Sequence, residues 1–296
     1  IDEWAKGIIR DYIPLGPLHN PANLAGIEVA EELFPHAPSV GVFDTEFHQT
    51  MPKKAYLYPL PYDLYKTLRI RRYGFHGTSH RYITKKTAEF LGKPLDELNI
   101  ITCHLGNGCS MAAVKNGRCV DTTMGITPLE GLMMGTRCGD IDPALVPFLM
   151  EKKDWSGAEI DTVMNKQSGL KGICGMNDMR DIHAAREKGD EMAELAFQMF
   201  VYRIRKYIGS FAVVVGKLDA IVFTAGIGEN DDFLRAAVCK DMDILGIDID
   251  EAVNAKRSGQ ARHIGKPGQR VPVLVVPTNE ELEIAQTTVA VLNGKN

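Results

Sequence analysis

Two glycine-rich segments decide the fold of this chain: Thr102-Cys103-His104-Leu105-Gly106-Asn107-Gly108-Cys109-Ser110 and Thr224-Ala225-Gly226-Ile227-Gly228-Glu229-Asn230. A short apolar run precedes each of them, Asn99 to Cys103 and Leu218 to Phe223, and predicts a buried strand. Because glycine has no Cβ, backbone N–H groups after such a strand can closely approach an anionic ligand. A single Gly-x-Gly after a strand is more often only a tight turn. Two in one chain favour a phosphate-rich ligand that is held from two sides.

Strand-like and helix-like segments alternate along the rest of the chain. The Asn116-Gly117 dipeptide between two apolar segments is a strong hairpin signal. The alternation predicts a mixed α/β sheet flanked by helices. Predicted strands lie at 39–43, 110–114, 118–122 and 271–276, and predicted helices at 3–12, 23–33, from near His80 to Leu91, 156–166, 178–188, 190–215 and after Asn230.

The connections carry further signals. Residues 124–140 contain four glycines and no clean period, and a long irregular segment in a compact domain is usually functional. Asp142 is predicted to cap a helix whose first residue is Pro143. Thr278 and Glu281 have the spacing of a capping box before the final helix.

Composition excludes several classes of protein. The 296 residues carry a net charge of −4, so no general attraction to nucleic acid is expected, and we interpret the basic cluster Arg69-Ile70-Arg71-Arg72 as a solvated helix end or strand edge. No apolar run approaches the roughly 20 residues that span a bilayer, and no secretory signal is present, so we expect no membrane association and a cytoplasmic location. The six cysteines, which form no C-x-x-C pair, predict reduced thiols. Cys138 is the one candidate for modification, because it adjoins Arg137.

The first residues, Ile1-Asp2-Glu3-Trp4, contain no methionine and resemble the middle of an amphipathic helix. This pattern leads us to expect that the chain is a piece of a longer protein.

Three charged residues suit phosphoryl transfer. Arg137 stands between glycines in the irregular segment, and its planar fork fits a phosphoryl group or a carboxylate; the alternative is an ion pair with Asp140 or Asp142. Asp44 and Glu280 each follow a predicted strand and could hold Mg²⁺ directly or through water; the alternative for both is a helix cap.

The histidines give a weaker signal. His76 and His104 adjoin glycine turns and His19 lies between two prolines, yet a histidine in such a loop is often structural. No pair has zinc-site spacing. The sequence also lacks a Walker-type phosphate loop and a protein-kinase His-Arg-Asp loop, which excludes the two commonest designs for phosphoryl transfer.

At this point the chain resembles the acetate kinase family along essentially its whole length and in the same order of motifs. Propionate and butyrate kinases share part of the pattern. The segments that carry the resemblance are Phe43-Asp44-Thr45-Glu46-Phe47-His48-Gln49-Thr50-Met51-Pro52, Tyr73–His80, His104–Gly108, Met124–Asp142, Gly226–Asn230 and Thr278–Glu281.

The resemblance implies an actin-like, ribonuclease H-like fold of two lobes that works as a homodimer through its C-terminal lobe. Residues 1–44 and 282–296 would be the remnant of the N-terminal lobe, and residues 45–281 the C-terminal nucleotide-binding lobe. The implied reaction is ATP + acetate ⇌ ADP + acetyl phosphate, with Mg²⁺ or Mn²⁺ as cofactor and direct in-line transfer.

The resemblance also implies roles for individual residues. Arg137 resembles the arginine that stabilises the transferring phosphoryl group, His76 the histidine that hydrogen-bonds it, and Asp44 and Glu280 the metal-organising acids. Residues similar to those that bind substrate are Leu18, His19, Phe75 and Pro128. Residues similar to those that bind nucleotide are His104, Gly106, Asn107, Gly108, Asp178, Met179, Arg180, Gly226, Ile227, Gly228 and Asn230.

The chain departs from the family at its start. The family opens with an Asn-x-Gly-Ser-Ser-Ser-x-Lys phosphate turn followed by an arginine for the acetate carboxylate, and neither is present here. We therefore expect an incomplete enzyme with a truncated first lobe. A non-catalytic nucleotide-binding fragment and a propionate or butyrate kinase are the alternatives, whereas a heat-shock-type ATPase is disfavoured because its substrate-binding domain is lacking.

Overall fold

The computed structural model describes residues 1–13 and 20–294. These residues are built around one sheet, whose strands are β1 (Ile100–Leu105), β2 (Cys109–Lys115), β3 (Arg118–Thr122), β4 (Ala220–Thr224), β5 (Arg262–His263) and β6 (Val273–Val275). The strand order is β3-β2-β1-β4-β6-β5. β1, β2 and β3 form an antiparallel meander, β4 is parallel to both β1 and β6, and β5 is antiparallel to β6. The predicted mixed sheet is confirmed.

The helices cover both faces of this sheet. They are α1 (Glu3–Asp11), α2 (Asn20–Leu33), α3 (Lys53–Tyr56), α4 (Tyr62–Leu68), α5 (Gly77–Leu91), α6 (Leu145–Lys153), α7 (Gly157–Lys166), α8 (Gly169–Cys174), α9 (Met179–Glu187), α10 (Glu191–Val215), α11 (Ala225–Asn230), α12 (Asp232–Cys239), α13 (Glu251–Asn254) and α14 (Glu280–Leu292). Three short 3₁₀ turns lie at Glu46–Thr50, Leu95–Glu97 and Asp243–Leu245. None of the described helices is long and apolar enough to cross a membrane.

The alternation of side chains along β1 separates two cores. Ile101, Cys103 and Leu105 belong to the large core under α10, whereas Ile100 belongs to a smaller core that includes Ile83 of α5. Residues two apart on a strand face the same side of the sheet. Thr102 and His104 therefore lie on the α5 side, and the structure has a layer of buried polar groups between β1 and α5.

Most predicted elements form with boundaries shifted by a few residues at most. The hairpin turn has the left-handed backbone that its sequence predicts, with φ of 52° at Asn116 and 71° at Gly117. Ser156 and Glu159 form a reciprocal capping box at the start of α7. Residues 124–140 contain no regular element, as expected.

Two local predictions were wrong. Residues 39–43 form no strand, because this segment has no hydrogen-bonded neighbour in the described sheet; the Ser39 carbonyl instead accepts a hydrogen bond from the backbone nitrogen of Ile1 at 2.6 Å. Asp142 is not a helix cap either. Its side chain accepts from the Ala144 N–H in a local turn, and α6 begins only at Leu145.

Two predicted strand-end motifs also take another form. The Gly226–Asn230 corner is not a glycine turn but helix α11, whose first residue, Ala225, has a left-handed φ of 65°. At the start of α14 the cap is Asn279, which accepts from the Leu282 N–H. Thr278 is therefore not the cap, because its hydroxyl group pairs with Ser79 at 2.8 Å.

A buried arginine connects α12 to the segments around it. Arg235 is 1% exposed, and its guanidinium donates to the Asn254 side-chain oxygen at 2.7 Å, the Asn254 carbonyl at 2.8 Å and the Gly228 carbonyl at 2.9 Å. Burial lowers its pKa to about 10, so the group stays charged at neutral pH. The guanidinium group of Arg235 therefore links α11, α12 and α13 by hydrogen bonds.

We expect Arg235→Met to lower the free energy of unfolding by about 3 kcal/mol, because three buried acceptors lose their donor and each costs ~1 kcal/mol. Urea unfolding monitored by circular dichroism measures this change. Arg257→Met, at an exposed position of the same region, is the control and should stay within about 0.5 kcal/mol of the original chain. Equal losses in the two variants would contradict the structural role of Arg235.

Candidate active site

The carboxyl ends of three parallel strands meet at one edge of the sheet. β1 leads into Gly106–Gly108, β4 into α11, and β6 into the start of α14. These ends are in contact, since Glu229 accepts from the Thr278 N–H at 3.1 Å. In α/β sheets this edge is the usual place for a ligand. The structure thus brings together motifs that lie more than 170 residues apart in the sequence.

Asp44 holds the entrance of α5. Its carboxylate accepts from the His76 N–H at 2.6 Å and the Thr78 N–H at 3.3 Å, and its carbonyl accepts from the Gly77 N–H at 2.8 Å. His76 has a left-handed φ of 56°, a conformation that a non-glycine residue adopts only when its surroundings support it. The alternative interpretation of Asp44 as a helix cap is therefore correct, although it caps α5 from another part of the chain.

Arg137 and His76 meet at Gly108. A Cβ added to Gly108 would lie 3.4 Å from Arg137 Nη1 and 3.5 Å from His76 Nε2, so both side chains lie beside this glycine. Burial lowers the pKa of the guanidinium.

Arg137 has no carboxylate partner among the described residues; it donates to the Pro128 carbonyl at 3.2 Å. The alternative ion pair with Asp140 does not form, because Asp140 accepts from Gly131 and Tyr207. Arg137 is thus a partly buried cation whose charge is available to an anion.

The irregular segment around Arg137 is anchored by a partly buried ion pair. Arg72 and Glu130 are 2.5 Å apart, and the Tyr58 hydroxyl donates to the other oxygen of Glu130 at 2.5 Å. Arg72 also donates to three successive carbonyl groups at the end of β3, those of Thr122, Thr123 and Met124. The interpretation of the basic cluster as a solvated surface is therefore wrong for Arg72.

Four histidine rings line the polar layer beneath α5. His76 and His104 are stacked with centroids 4.2 Å apart, and His80 lies 5.7 Å from His48 and 6.1 Å from His104. Burial lowers the pKa of all four, to about 4 for His48, and keeps the rings neutral. His104 Nδ1 contacts the Ser79 hydroxyl at 2.8 Å, which in turn contacts Thr278.

Glu280 is a half-buried acid that is affected by the charge of Asp44. Burial raises the pKa of Glu280, and the Asp44 carboxylate and then the Glu281 carboxylate raise it further. No group of three or more acidic, histidine or cysteine side chains in the described residues could form a complete metal cage. Two carboxylates facing one cleft do fit Mg²⁺, which is commonly bound through one or two carboxylates plus substrate phosphates.

The segments predicted to line the nucleotide lie beside each other. His183 of α9 pairs with Asp231, directly after α11, at 2.8 Å. At the start of α9, Asp178 pairs with the exposed Arg180 at 2.5 Å, and this pairing lowers the pKa of Asp178 to about 2.

The remaining residues of this wall differ in exposure. Met179 is 4% exposed and lies in the core, whereas Gly226 and Asn230 are exposed and joined by a 2.9 Å hydrogen bond. Ile227 packs against the core, and Gly228 is buried.

Comparisons with known proteins decide the family. The model of the acetokinase family matches residues 1–286. The chain is 99% identical over all 296 residues to an acetate kinase of Nitratidesulfovibrio vulgaris (strain Miyazaki F), and it spans 73% of that protein's length.

The chain belongs to the acetokinase family.

Solved structures of this family have the same fold. An acetate kinase from Porphyromonas gingivalis superposes with a TM-score of 0.94 at 48% identity, covering 99% of this chain and 73% of that one. A propionate kinase from Francisella tularensis gives 0.92 at 44% identity, covering 97% and 73%. The predicted actin-like α/β fold of the acetokinase family is confirmed.

The predicted substrate pocket is described only in part. Leu18 and His19 lie outside the described residues. Phe75 adjoins His76 and packs against the large core, while its carbonyl contacts His48 Nε2 at 2.9 Å. The Pro128 carbonyl accepts a hydrogen bond from Arg137. Phe75 and Pro128 therefore lie next to His76 and Arg137, respectively.

Sequence reasoning missed several polar residues of the site. Glu229 joins the ends of β4 and β6, since it accepts from the N–H groups of Ala225 and Thr278. His80 and Ser110 lie beneath His76. A sequence signal for Ser110 was available. Ser110 pairs with His104 across β1 and β2, so it lies on the same face of the sheet as Thr102 and His104, in strands that otherwise carry mostly apolar residues. Nothing local marked Glu229.

The buried His48 predicts a loss of stability in acid. Its folded pKa, about 4, lies below the ordinary 6.5, so the unfolded chain binds more protons and stability falls as pH drops through this interval. His48 alone should lower the free energy of unfolding by about 2 kcal/mol between pH 7 and 4.5.

Urea unfolding across this pH range, for the original chain and for His48→Gln, measures the contribution. The variant should start less stable at pH 7 and change less with pH. Parallel pH profiles in the two proteins would contradict a neutral buried His48.

Proposed function

We propose that this chain transfers the terminal phosphoryl group of ATP to the carboxylate of acetate, reversibly, to give acetyl phosphate and ADP. The observation that carries the proposal is the partly buried Arg137, without a carboxylate partner among the described residues, beside His76 at Gly108. Phosphoryl transfer needs positioned donors around a spreading negative charge rather than a covalent step by the protein. Membership of the acetokinase family and the similarity to named acetate kinases support acetate as the acceptor.

Arg137 and His76 act on the group in transfer. The planar guanidinium group of Arg137 donates to equatorial oxygens of the phosphoryl group. Because Arg137 is partly buried, the electrostatic attraction between its charge and the phosphoryl oxygens is stronger than it would be in water. His76 donates a hydrogen bond from the ring edge that faces Gly108. An acetate oxygen attacks phosphorus in line while the bond to the leaving oxygen of ADP breaks, so the phosphoryl group passes directly between the two.

Nucleotide binds along the edge of the sheet. We propose that Gly106, Asn107 and Gly108, with His104, contact its phosphates, and that the exposed backbone at Gly226 and Asn230 lies beside the adenosine with the segment Asp178–Arg180. The loop at Asn107 is held in place because its carbonyl accepts from the Gly135 N–H at 3.1 Å. This contact couples the phosphate loop to the segment that carries Arg137.

Asp44 and Glu280 would hold Mg²⁺. The divalent ion neutralises phosphate charge when it is bound with the nucleotide. Burial, and after it the Asp44 carboxylate, raises the pKa of Glu280, so a cation held there would stabilise its charged form. Asp44 has a second task, since the same carboxylate holds the backbone of His76.

The acceptor and the assembly belong to the same proposal. Phe75 and Pro128 would contact the acetate methyl group, with Leu18 and His19 completing the pocket. A family member named propionate kinase has the same fold at 44% identity, so a longer acceptor is the second candidate.

We also propose a cytoplasmic homodimer through residues 45–281, supported by large apolar side chains exposed on α6 and α10, among them Phe148, Tyr202 and Val213. The division of the chain into two lobes stays a prediction.

The first test is formation of acetyl phosphate from ATP, Mg²⁺ and acetate by the purified chain, trapped as the hydroxamate. The proposal requires turnover even though the family's N-terminal phosphate turn and acetate-binding arginine are not in this chain, and Arg137→Ala should reduce that turnover by about 10³-fold, because a charged donor to the transferring group is lost. Propionate in place of acetate should react more slowly.

Arg118→Ala is the matched control, because this arginine is exposed on β3, away from the cleft. It should retain full turnover. If Arg137→Ala kept turnover within about tenfold, the role of Arg137 would be wrong. Binding of ADP without any acetyl phosphate would instead indicate a nucleotide-binding fragment.

Glu280→Gln should raise the Mg²⁺ concentration for half-maximal turnover by about tenfold, equivalent to ~1.4 kcal/mol of binding free energy. The exposed neighbour Glu281→Gln is the control and should change it little. A magnesium titration at fixed ATP measures both. The metal assignment fails if the two variants give the same titration curve.

A further inference from the structure

The Ser110 hydroxyl lies between two histidine rings. It is 2.8 Å from His76 Nδ1 and 2.8 Å from His80 Nε2. The other ring nitrogen of His80, Nδ1, is 2.7 Å from the Thr102 hydroxyl. Thr102, His80 and Ser110 are all 0% exposed. A continuous chain of buried polar groups therefore runs from β1 through α5 and β2 to His76.

Each ring in this chain can donate from only one nitrogen. The ring nitrogens in this chain contact only hydroxyl groups, and a neutral imidazole has one N–H and one lone pair. The hydrogens consequently have two arrangements in which the Ser110 hydroxyl accepts from one ring and donates to the other; if it accepted from both, its own buried hydrogen would lack an acceptor in this chain. Either every bond donates toward His76, which leaves its hydrogen on Nε2, or every bond donates away from His76, which leaves the hydrogen on Nδ1.

The Thr102 hydroxyl distinguishes the two arrangements. When bonds run toward His76, Thr102 donates to His80 at 2.7 Å. When they run away, His80 donates to Thr102, and the one acceptor for the Thr102 hydrogen among the described residues is the Ala112 carbonyl, 3.5 Å away. That distance is at the limit of a hydrogen bond, and a buried donor without a good acceptor is costly. The free energy favours donation toward His76.

We propose that Thr102, His80 and Ser110 are positioning residues that fix His76 in the tautomer with its hydrogen on Nε2. This nitrogen lies beside Gly108, next to which Arg137 Nη1 also lies. The proposal rests on the phosphoryl-transfer function proposed above, and it deepens the role of His76 there. A neutral His76 can then donate to a phosphoryl oxygen without first taking up a proton, and no lone pair on Nε2 repels that oxygen.

The deciding experiment measures the ring nitrogens directly. Protein with ¹⁵N-labelled histidine is examined near pH 7 by long-range ¹H–¹⁵N correlation, without ATP or acetate, and His76 is assigned by the signal lost in His76→Gln. We expect a protonated, pyrrole-type Nε2 and an unprotonated, pyridine-type Nδ1 at His76. The reverse assignment, or an equal mixture of tautomers, would overturn the proposal. The tautomer is measured in the original chain, so this result does not depend on whether variants of the relay (Thr102, His80 and Ser110) fold.

Variants of the relay test its cause. Ser110→Ala should convert His76 to a mixture of tautomers, whereas Ser110→Thr, which keeps the hydroxyl, should preserve the Nε2–H form. Thr84→Val is the matched control: this hydroxyl is equally buried on α5 but donates to the backbone carbonyl of His80 rather than to a ring. An unchanged tautomer in Ser110→Ala would contradict the relay.

Activity separates this proposal from the proposed function. Ser110→Ala should lower kcat by about tenfold to a hundredfold, the range for loss of a group that orients a functional histidine, with little change in KM for ATP. An unchanged kcat would contradict the positioning role. If the chain had the Nε2–H tautomer but formed no acetyl phosphate, only the proposed function would fail; an active chain with the Nδ1–H tautomer would overturn only the relay.

Discussion

The parallel pairing of β1 with β4 is the constraint on which the rest of the structure depends. Its register runs from Ile100 opposite Ala220 to His104 opposite Thr224, so both strands end at the same level of the sheet. β6 continues the pattern on the far side of β4. Buried backbone groups must be paired, and this ladder pairs them across a separation of 120 residues. As a consequence, loops from three remote parts of the chain share one edge, where they can contact the same ligand.

A second constraint follows from the two faces of β1. The face toward α10 carries Cys103 and Leu105 and is wholly apolar in this region, which gives the sheet a rigid support. The face toward α5 carries Thr102 and His104, whose polar atoms must find partners inside the protein. They find them in His80 and Ser79 of α5. The site is therefore placed where the fold already needs a satisfied polar layer, and the same hydrogen bonds that stabilise this layer orient the rings that face the ligand.

The sequence predicted much of this arrangement because several of its signals are local. The hairpin at Asn116-Gly117 and the periodicity of α10 depend on residues within a few positions of one another. The failures concern signals that need a distant partner. Residues 39–43 have the composition of a strand but no neighbour in the described sheet, and Thr278 has the spacing of a cap but a closer partner in Ser79. A local sequence pattern carries no information about whether a partner is present, or a competing partner lies closer, in a distant part of the chain.

The sequence by itself determined the family, the mixed sheet and the identity of most candidate site residues, because long ordered motifs and glycine-flanked strand ends are readable without coordinates. Only the tertiary structure decided how these residues act on one another. It placed Arg137 and His76 together beside Gly108, joined Asp44 to the start of α5, and set Ser110 between two histidine rings. The physical reason is that distance, burial and the choice of hydrogen-bond partner are properties of the folded chain, and they set the charge and proton position of each group.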